Sequence, residues 1–188
     1  MNAKVDSVLL IGTCSGIVST LSFLFGSFIH VTVTGVAFGL AITIVVWNTL
    51  PGFKLLKLIG IIAISVLAYF LAWELGQAQG DHIPELAKGT IGRFTICGFA
   101  GSSTLSMGLS RVLGWKEKNR VFIWIVGVGT GAGLLCALIL CIPMGGSFML
   151  GLFALWFGMM LWQALTLTSL LPLLHSASAG SNTADAGS

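Results

Sequence analysis

Charge is scarce in this sequence. Nine Lys/Arg and six Asp/Glu make up 8% of 188 residues, against 56% hydrophobic. A soluble domain carries roughly a quarter charged residues. With a mean hydropathy of +1.01, this composition excludes a soluble enzyme and a disordered chain. It also excludes nucleic acid as a partner, because a DNA or RNA surface needs a stripe of Lys and Arg. Six windows hold no Asp, Glu, Lys or Arg at all: Val8–Ile29, Val31–Leu50, Leu58–Trp73, Phe94–Ser110, Val121–Ile142 and Phe148–Leu171. Proton relays and ion pumps place Asp, Glu or His inside the bilayer. Here the nearest ionisable residues, His30, Glu74, Arg93 and Arg111, fall at window ends.

Other chemistry is missing too. Cys14, Cys97, Cys136 and Cys141 form no C-x-x-C pair, so zinc and redox spacings are absent. Cys14 and Cys97 sit in the first and fourth windows, a placement that resembles the CcdA-type electron-transfer proteins. They lack the prolines that flank each cysteine there. A rhomboid-type serine protease needs G-x-S-G and a histidine on its last helix. Ser15-Gly16 follows Thr13, Gly98-Phe99-Ala100-Gly101 has Ala in place of Ser, and the one late histidine is His175. His30, His82 and His175 lie at interfaces or loops, which argues against haem. Gly127-Val128-Gly129-Thr130-Gly131-Ala132-Gly133 has no P-loop lysine. No catalytic residue, metal site or cofactor is assigned. Asp81, His82 and Glu85 in the Leu75–Gly92 connection read as solvated loop residues.

The fold expected is all-α: a polytopic membrane protein, one bundle of six transmembrane helices. A span needs about 20 mostly apolar residues. Allowing charged side chains to snorkel at the ends, the helices are read at 8–29, 31–50, 55–75, 92–112, 121–142 and 148–172 within a domain 1–174. A flexible tail rich in Ser, Ala and Gly follows at 175–188. The Val8–Leu50 run is too long for one span, so a hairpin turns near His30. Pro51-Gly52 ends the second helix, and Pro143-Met144-Gly145-Gly146 turns between the fifth and sixth. Met1–Lys4 before an apolar run is similar to a signal peptide, but no clean cleavage site follows. Lys4, Lys54, Lys57, Arg111, Lys116, Lys118 and Arg120 fall on one side, and only Lys88 and Arg93 on the other. The positive-inside rule then puts both termini in the cytoplasm. The expected location is a cell membrane, of the bacterial inner-membrane kind, crossed several times.

Polar residues within the windows carry the functional expectation. The fourth window holds four Ser, two Thr and three Gly. Such a helix gains more from close packing and interhelical hydrogen bonds than from lipid, so it is expected in the middle of the bundle. Ser15, Ser19, Ser22 and Gly26 follow one face of the first helix. Ser19-Thr20-Leu21-Ser22 recurs as Ser103-Thr104-Leu105-Ser106, 84 residues on. That is a weak sign of a 3+3 inverted repeat of the kind transporters use. Small-xxx-small pairs occur at Gly12/Gly16, Gly35/Gly39, Gly127/Gly131 and Gly129/Gly133, each fit for close helix approach.

The expected function is transport or channelling of a small neutral or zwitterionic solute. Its path would run between the first and fourth helices, lined by Ser19, Ser22, Ser103 and Ser106 with the amide of Gln163. Glu74 and Arg93 would pair at the outer mouth. The alternative is a non-catalytic structural or assembly subunit; a membrane-embedded enzyme ranks third. The partners expected are the lipid bilayer and either a second copy or a membrane-complex subunit.

Overall fold

The computed structural model describes residues 3–22, 27–47, 54–77, 89–114, 118–140, 157–158 and 160–172. The regular structure among them is helical: α1 Ala3–Ser22, α2 Ser27–Val46, α3 Lys54–Gln77, α4 Thr90–Val112 and α5 Lys118–Leu140. Residues 157–158 and 160–172 are also helical and are called α6. The turns at Pro51-Gly52 and Pro143–Gly146, most of the Leu75–Gly92 connection and the tail 175–188 lie outside the described residues.

The helices start earlier than the charge-free windows. α1 starts at Ala3 rather than residue 8, with Asp6 in its first turn, where a carboxylate suits the positive end of the helix dipole. α5 takes in Lys118, Asn119 and Arg120. Charged side chains at a helix end can reach water from helical positions, so absence of charge places each helix start too late. His30 belongs to the first turns of α2. The hairpin therefore turns before it.

Four helices are long and apolar enough to cross a membrane: α1, α2, α3 and α5, over Val5–Ser22, Ile29–Val46, Lys54–Gly76 and Asn119–Ile139. A 20-residue helix such as α1 is about 30 Å long, the thickness of the hydrocarbon core. Around an apolar core that includes Phe38, Ile42, Ile61 and Leu105, burial departs from that of a soluble protein. Leu10, Ile44, Leu55, Leu56, Ile59 and Ile123 are exposed, while Ser19, Thr34, Ser65, Ser102, Ser106, Gln163 and Thr166 are buried. These are the features of a membrane protein. Outward leucines lose nothing in lipid, and several inward hydroxyls find helix carbonyls. Thr43 donates to Gly39 O at 2.8 Å, and Thr166 to Trp162 O at 2.8 Å.

Glycines set the register between neighbours. A Cβ built on Gly12 would lie 2.6 Å from Ala164 Cα, and one on Gly16 2.5 Å from Met160 Cα. As the α1 number rises, the α6 number falls, so the two helices are antiparallel. The same holds for α2 and α3, where Gly35 meets Val66 and Gly39 meets Ile62. Gly108 meets Ile64 and Gly76 meets Cys97 between α3 and α4. Gly98 meets Gly129 and Gly133 meets Phe94 between α4 and α5. α5 and α6 follow suit, with Trp124 Nε1 donating to Ser169 O and Trp162 Nε1 to Gly129 O. The helices thus alternate up and down. One end of the bundle collects the last turns of α1, α3 and α5 and the first turns of α2, α4 and α6.

The fourth helix is not the central one. α4 packs between α3 and α5, and Ile91, Phe99 and Met107 form an exposed stripe along it. Its serines do turn inward, but Ser102 meets Gly129 of α5 rather than α1. The centre belongs to α6, where Trp162, Gln163, Ala164, Thr166, Leu167, Ser169 and Leu170 are all buried. Trp162 alone stacks near Phe38 of α2 and Tyr69 of α3, with centroids 5.5 and 5.3 Å away. Polar content marked α4 as unsuited to lipid, but one inward face satisfies that requirement. A Trp and a Gln on successive residues need partners on several sides. The two Ser-Thr-Leu-Ser tetrads also differ: Leu21 is 51% exposed and Leu105 fully buried, so they do not present the same face to the bundle.

Candidate functional site

Gln163 is fully buried. Its Nε2 donates to Ser19 Oγ of α1 and to Tyr69 Oη of α3, both at 2.7 Å. Ser19 in turn donates to Ser15 O at 2.8 Å. One amide thereby joins three helices. Two donated bonds use both amide protons and leave Gln163 Oε1 without a partner. The sequence reading pairs Ser19 with Gln163 on a solute path; the structure brings them together as a packed junction. Ser19 is fully buried and does not line the cavity described below.

Ser22 joins a second cluster. Its Oγ lies 2.9 Å from His30 Nδ1 and 3.4 Å from Thr34 Oγ1, and it donates to Ser19 O at 2.6 Å. The His30 ring packs edge-on against Trp73, with centroids 5.9 Å apart. His30 is thus a buried member of an α1–α2–α3 contact rather than an interfacial turn residue. The two clusters share the Ser19 backbone and side chain, so α1 is held along one continuous polar edge.

Ser103 and Ser106 stand apart from both clusters. Ser103 is half-buried and Ser106 fully buried, and neither hydroxyl has a hydrogen-bond partner. Ser102, between them and Gly98, donates to Gly98 O. A buried hydroxyl without a partner is a cost, and its removal relieves that cost. Ser106→Ala is therefore expected to leave stability unchanged or raise it by up to about 1 kcal/mol, measured by denaturant unfolding in detergent. A clear loss would mean that the hydroxyl has an acceptor the geometry does not reveal.

Glu74 and Arg93 do not meet as expected. Glu74 is exposed near the end of α3, Arg93 is half-buried in the first turns of α4, and no ion pair joins these two described residues. Arg93 instead lines a cavity of about 400 Å³, within the roughly 300–1,000 Å³ of small-molecule sites. Its walls come from all six helices: Thr20 of α1, His30 and Val31 of α2, Tyr69 and Trp73 of α3, Arg93, Phe94 and Cys97 of α4, Cys136 of α5, and Gly158 and Trp162 of α6. Thr20, His30, Trp73, Arg93 and Cys136 lie toward the same helix ends, so the cavity occupies that end of the bundle. It is mostly apolar. Tyr69, whose oxygen accepts from Gln163, connects it to the polar junction.

Of the sequence-derived path, then, Ser19, Ser22 and Gln163 belong to joined polar clusters and Ser103 and Ser106 to another helix face. The sequence reading missed Thr20, Tyr69 and Trp73 and placed Arg93 in an ion pair. The available signal was positional. Thr20, Trp73 and Arg93 sit near helix ends that a six-helix up-and-down chain brings to one side. Among the described residues no group of His, Cys, Asp and Glu could hold a metal ion. Comparison with protein-family models, curated proteins and solved structures finds no match for this chain.

Proposed function

We propose that the chain is a six-span membrane protein that binds a small solute in the cavity at one end of the bundle and moves it across the bilayer. The observation that carries this reading is the cavity itself: about 400 Å³, open on one side and walled by residues of all six helices. Elsewhere, the same helices close to backbone contact at Gly12, Gly16, Gly35 and Gly39. A space kept open beside such tight seams fits a binding site better than a packing defect. The test is uptake into proteoliposomes across a panel of small solutes, with Ala72→Phe as the comparison. Ala72 lines the cavity, and a phenyl ring there fills it. Uptake by the wild type that Ala72→Phe abolishes, with the variant still folded, supports transport. No uptake of any solute shifts the reading to the assembly subunit.

In this reading both termini face the cytoplasm and the cavity opens to the outside, because the positive-inside rule assigns the Lys/Arg-poor side outward. In a cysteine-free background, a cysteine at Ala78 should react with an impermeant thiol reagent from outside, and one at Glu117 should not. The reverse pattern inverts the orientation.

One observation favours the assembly-subunit reading. Glycines of the pairs Gly12/Gly16, Gly35/Gly39 and Gly129/Gly133 meet a neighbouring helix, but Gly127 and Gly131 face nothing within 4 Å. They lie on an exposed strip of α5 beside Ile123, Trp124, Leu134 and Leu135. Small-xxx-small strips of this kind let helices of separate chains approach closely. Cross-linking from a cysteine at Gly131, in liposomes at low protein density, tests it. A discrete dimer lost on Gly127→Leu supports assembly through α5.

A further inference from the structure

The cavity carries one formal charge among its described lining residues, Arg93. No described carboxylate lines it or pairs with Arg93. A guanidinium held partly out of water without a counter-charge is a costly arrangement. It becomes favourable when an anion fills the space beside it. The setting adds to this. Arg93 lies in the first turns of α4, a 23-residue helix whose Gly89 cap offers no side-chain hydrogen bond. The opening N–H groups of that helix and its dipole both favour negative charge at this end. A second observation is independent of the helix. Thr20, on α1, is only 7% exposed and lines the cavity, yet its Oγ1 has no hydrogen-bond partner. A buried hydroxyl without a partner, on a residue that lines the cavity, has a hydrogen bond left to give. Beyond these groups the wall is apolar, built largely from Val31, Ala68, Ala72, Phe94 and the rings of Trp73 and Trp162.

Resting on the reading of this cavity as a solute site, we propose that its ligand is an amphiphile: an apolar chain ending in a single anionic group, carboxylate or phosphate. Arg93 holds the anionic end, and Thr20 donates a hydrogen bond to the ligand. The apolar chain lies against Trp73 and Trp162. This differs from the neutral or zwitterionic solute expected from the sequence. That expectation assumed no charge beside the site, and no described carboxylate is present to hold a zwitterion's cation.

The experiment measures quenching of tryptophan emission by ligand, using full-length protein in phosphatidylcholine nanodiscs. The probes are octanoate, octanol and octyltrimethylammonium. Octanoate should bind most tightly. Arg93→Gln should weaken octanoate roughly 10- to 100-fold, the worth of a charge-assisted hydrogen bond, and leave octanol unchanged. Arg93→Lys should restore part of the preference. Thr20→Val should cost about fivefold. Ala72→Phe should abolish all three signals, which separates cavity binding from partition into lipid; thermal unfolding checks that each variant is folded. Equal binding of octanoate and octanol, with Arg93→Gln silent, overturns the anion assignment and leaves the cavity reading intact. Quenching that Ala72→Phe does not alter overturns both. Phosphatidylglycerol added to the nanodiscs separates two sources of the same chemistry. Competition with octanoate assigns the site to a lipid headgroup, and absence of competition assigns it to a free amphiphile.

Discussion

Gly98→Val should destabilise the bundle by about 3 kcal/mol, at the upper end of what overpacking costs. A Cβ at Gly98 would sit 2.6 Å from Gly129 O and 3.3 Å from Gly133 Cα. Both are backbone atoms of α5, so no rotamer change relieves the clash and the two helices must separate. The seam repeats on either side, with Gly133 against Phe94 O and Gly129 against Ser102. Separation at Gly98 therefore loosens the whole α4–α5 contact and the Trp162–Gly129 hydrogen bond behind it. Gly127→Val is the matched control. It lies on α5, the other helix of the seam, yet nothing stands within 4 Å of its would-be Cβ. In the isolated chain that change should stay within about 0.5 kcal/mol. Unfolding by dodecyl sulfate titration in mixed micelles compares them. Similar losses at both positions would show that the α4–α5 seam is not the one described.

The second large effect falls on Gln163. Gln163→Ala removes two 2.7 Å hydrogen bonds and opens a void among fully buried neighbours. The expected loss is about 2–3 kcal/mol, from orphaned partners and the cavity together. Gln163→Leu keeps most of the volume and should recover part of that loss. In a double-mutant cycle with Tyr69→Phe, the coupling should fall between about 0.6 and 1.7 kcal/mol, the span measured for interhelical hydrogen bonds in a membrane. Additive losses would show that Gln163 and Tyr69 do not share a bond in solution.

Much of the architecture was legible from composition. The charge-free windows at 31–50 and 58–73 fall on α2 and α3, and the glycine pairs at 12/16, 35/39 and 129/133 mark true helix seams. Gln163, read as part of a path with Ser19, does bond Ser19, and also Tyr69 of a third helix. Less legible were the faces. Ser103 and Ser106 read as partners of Ser19 and Ser22 because the tetrads match in letters, yet Leu21 looks outward and Leu105 inward. Arg93 read as half of an ion pair because Glu74 sits at the neighbouring helix end. It lines the cavity instead, together with residues of all six helices.

That this chain is helical, apolar and built around close helix contacts is written in its residues alone. Those properties follow from run length, charge spacing and small residues, all read along one dimension. Which face of each helix turns inward, that α6 rather than α4 forms the centre, and that helix ends meet around Arg93 and Thr20 emerge only when the helices are packed together. The physical reason lies in the solvent. In water, burial of apolar surface picks the inner face of a helix, and the pattern shows it. In a bilayer both faces are apolar enough. The choice then falls to pairwise matters, a glycine opposite a backbone or an amide opposite a hydroxyl, which exist only once two helices are brought together.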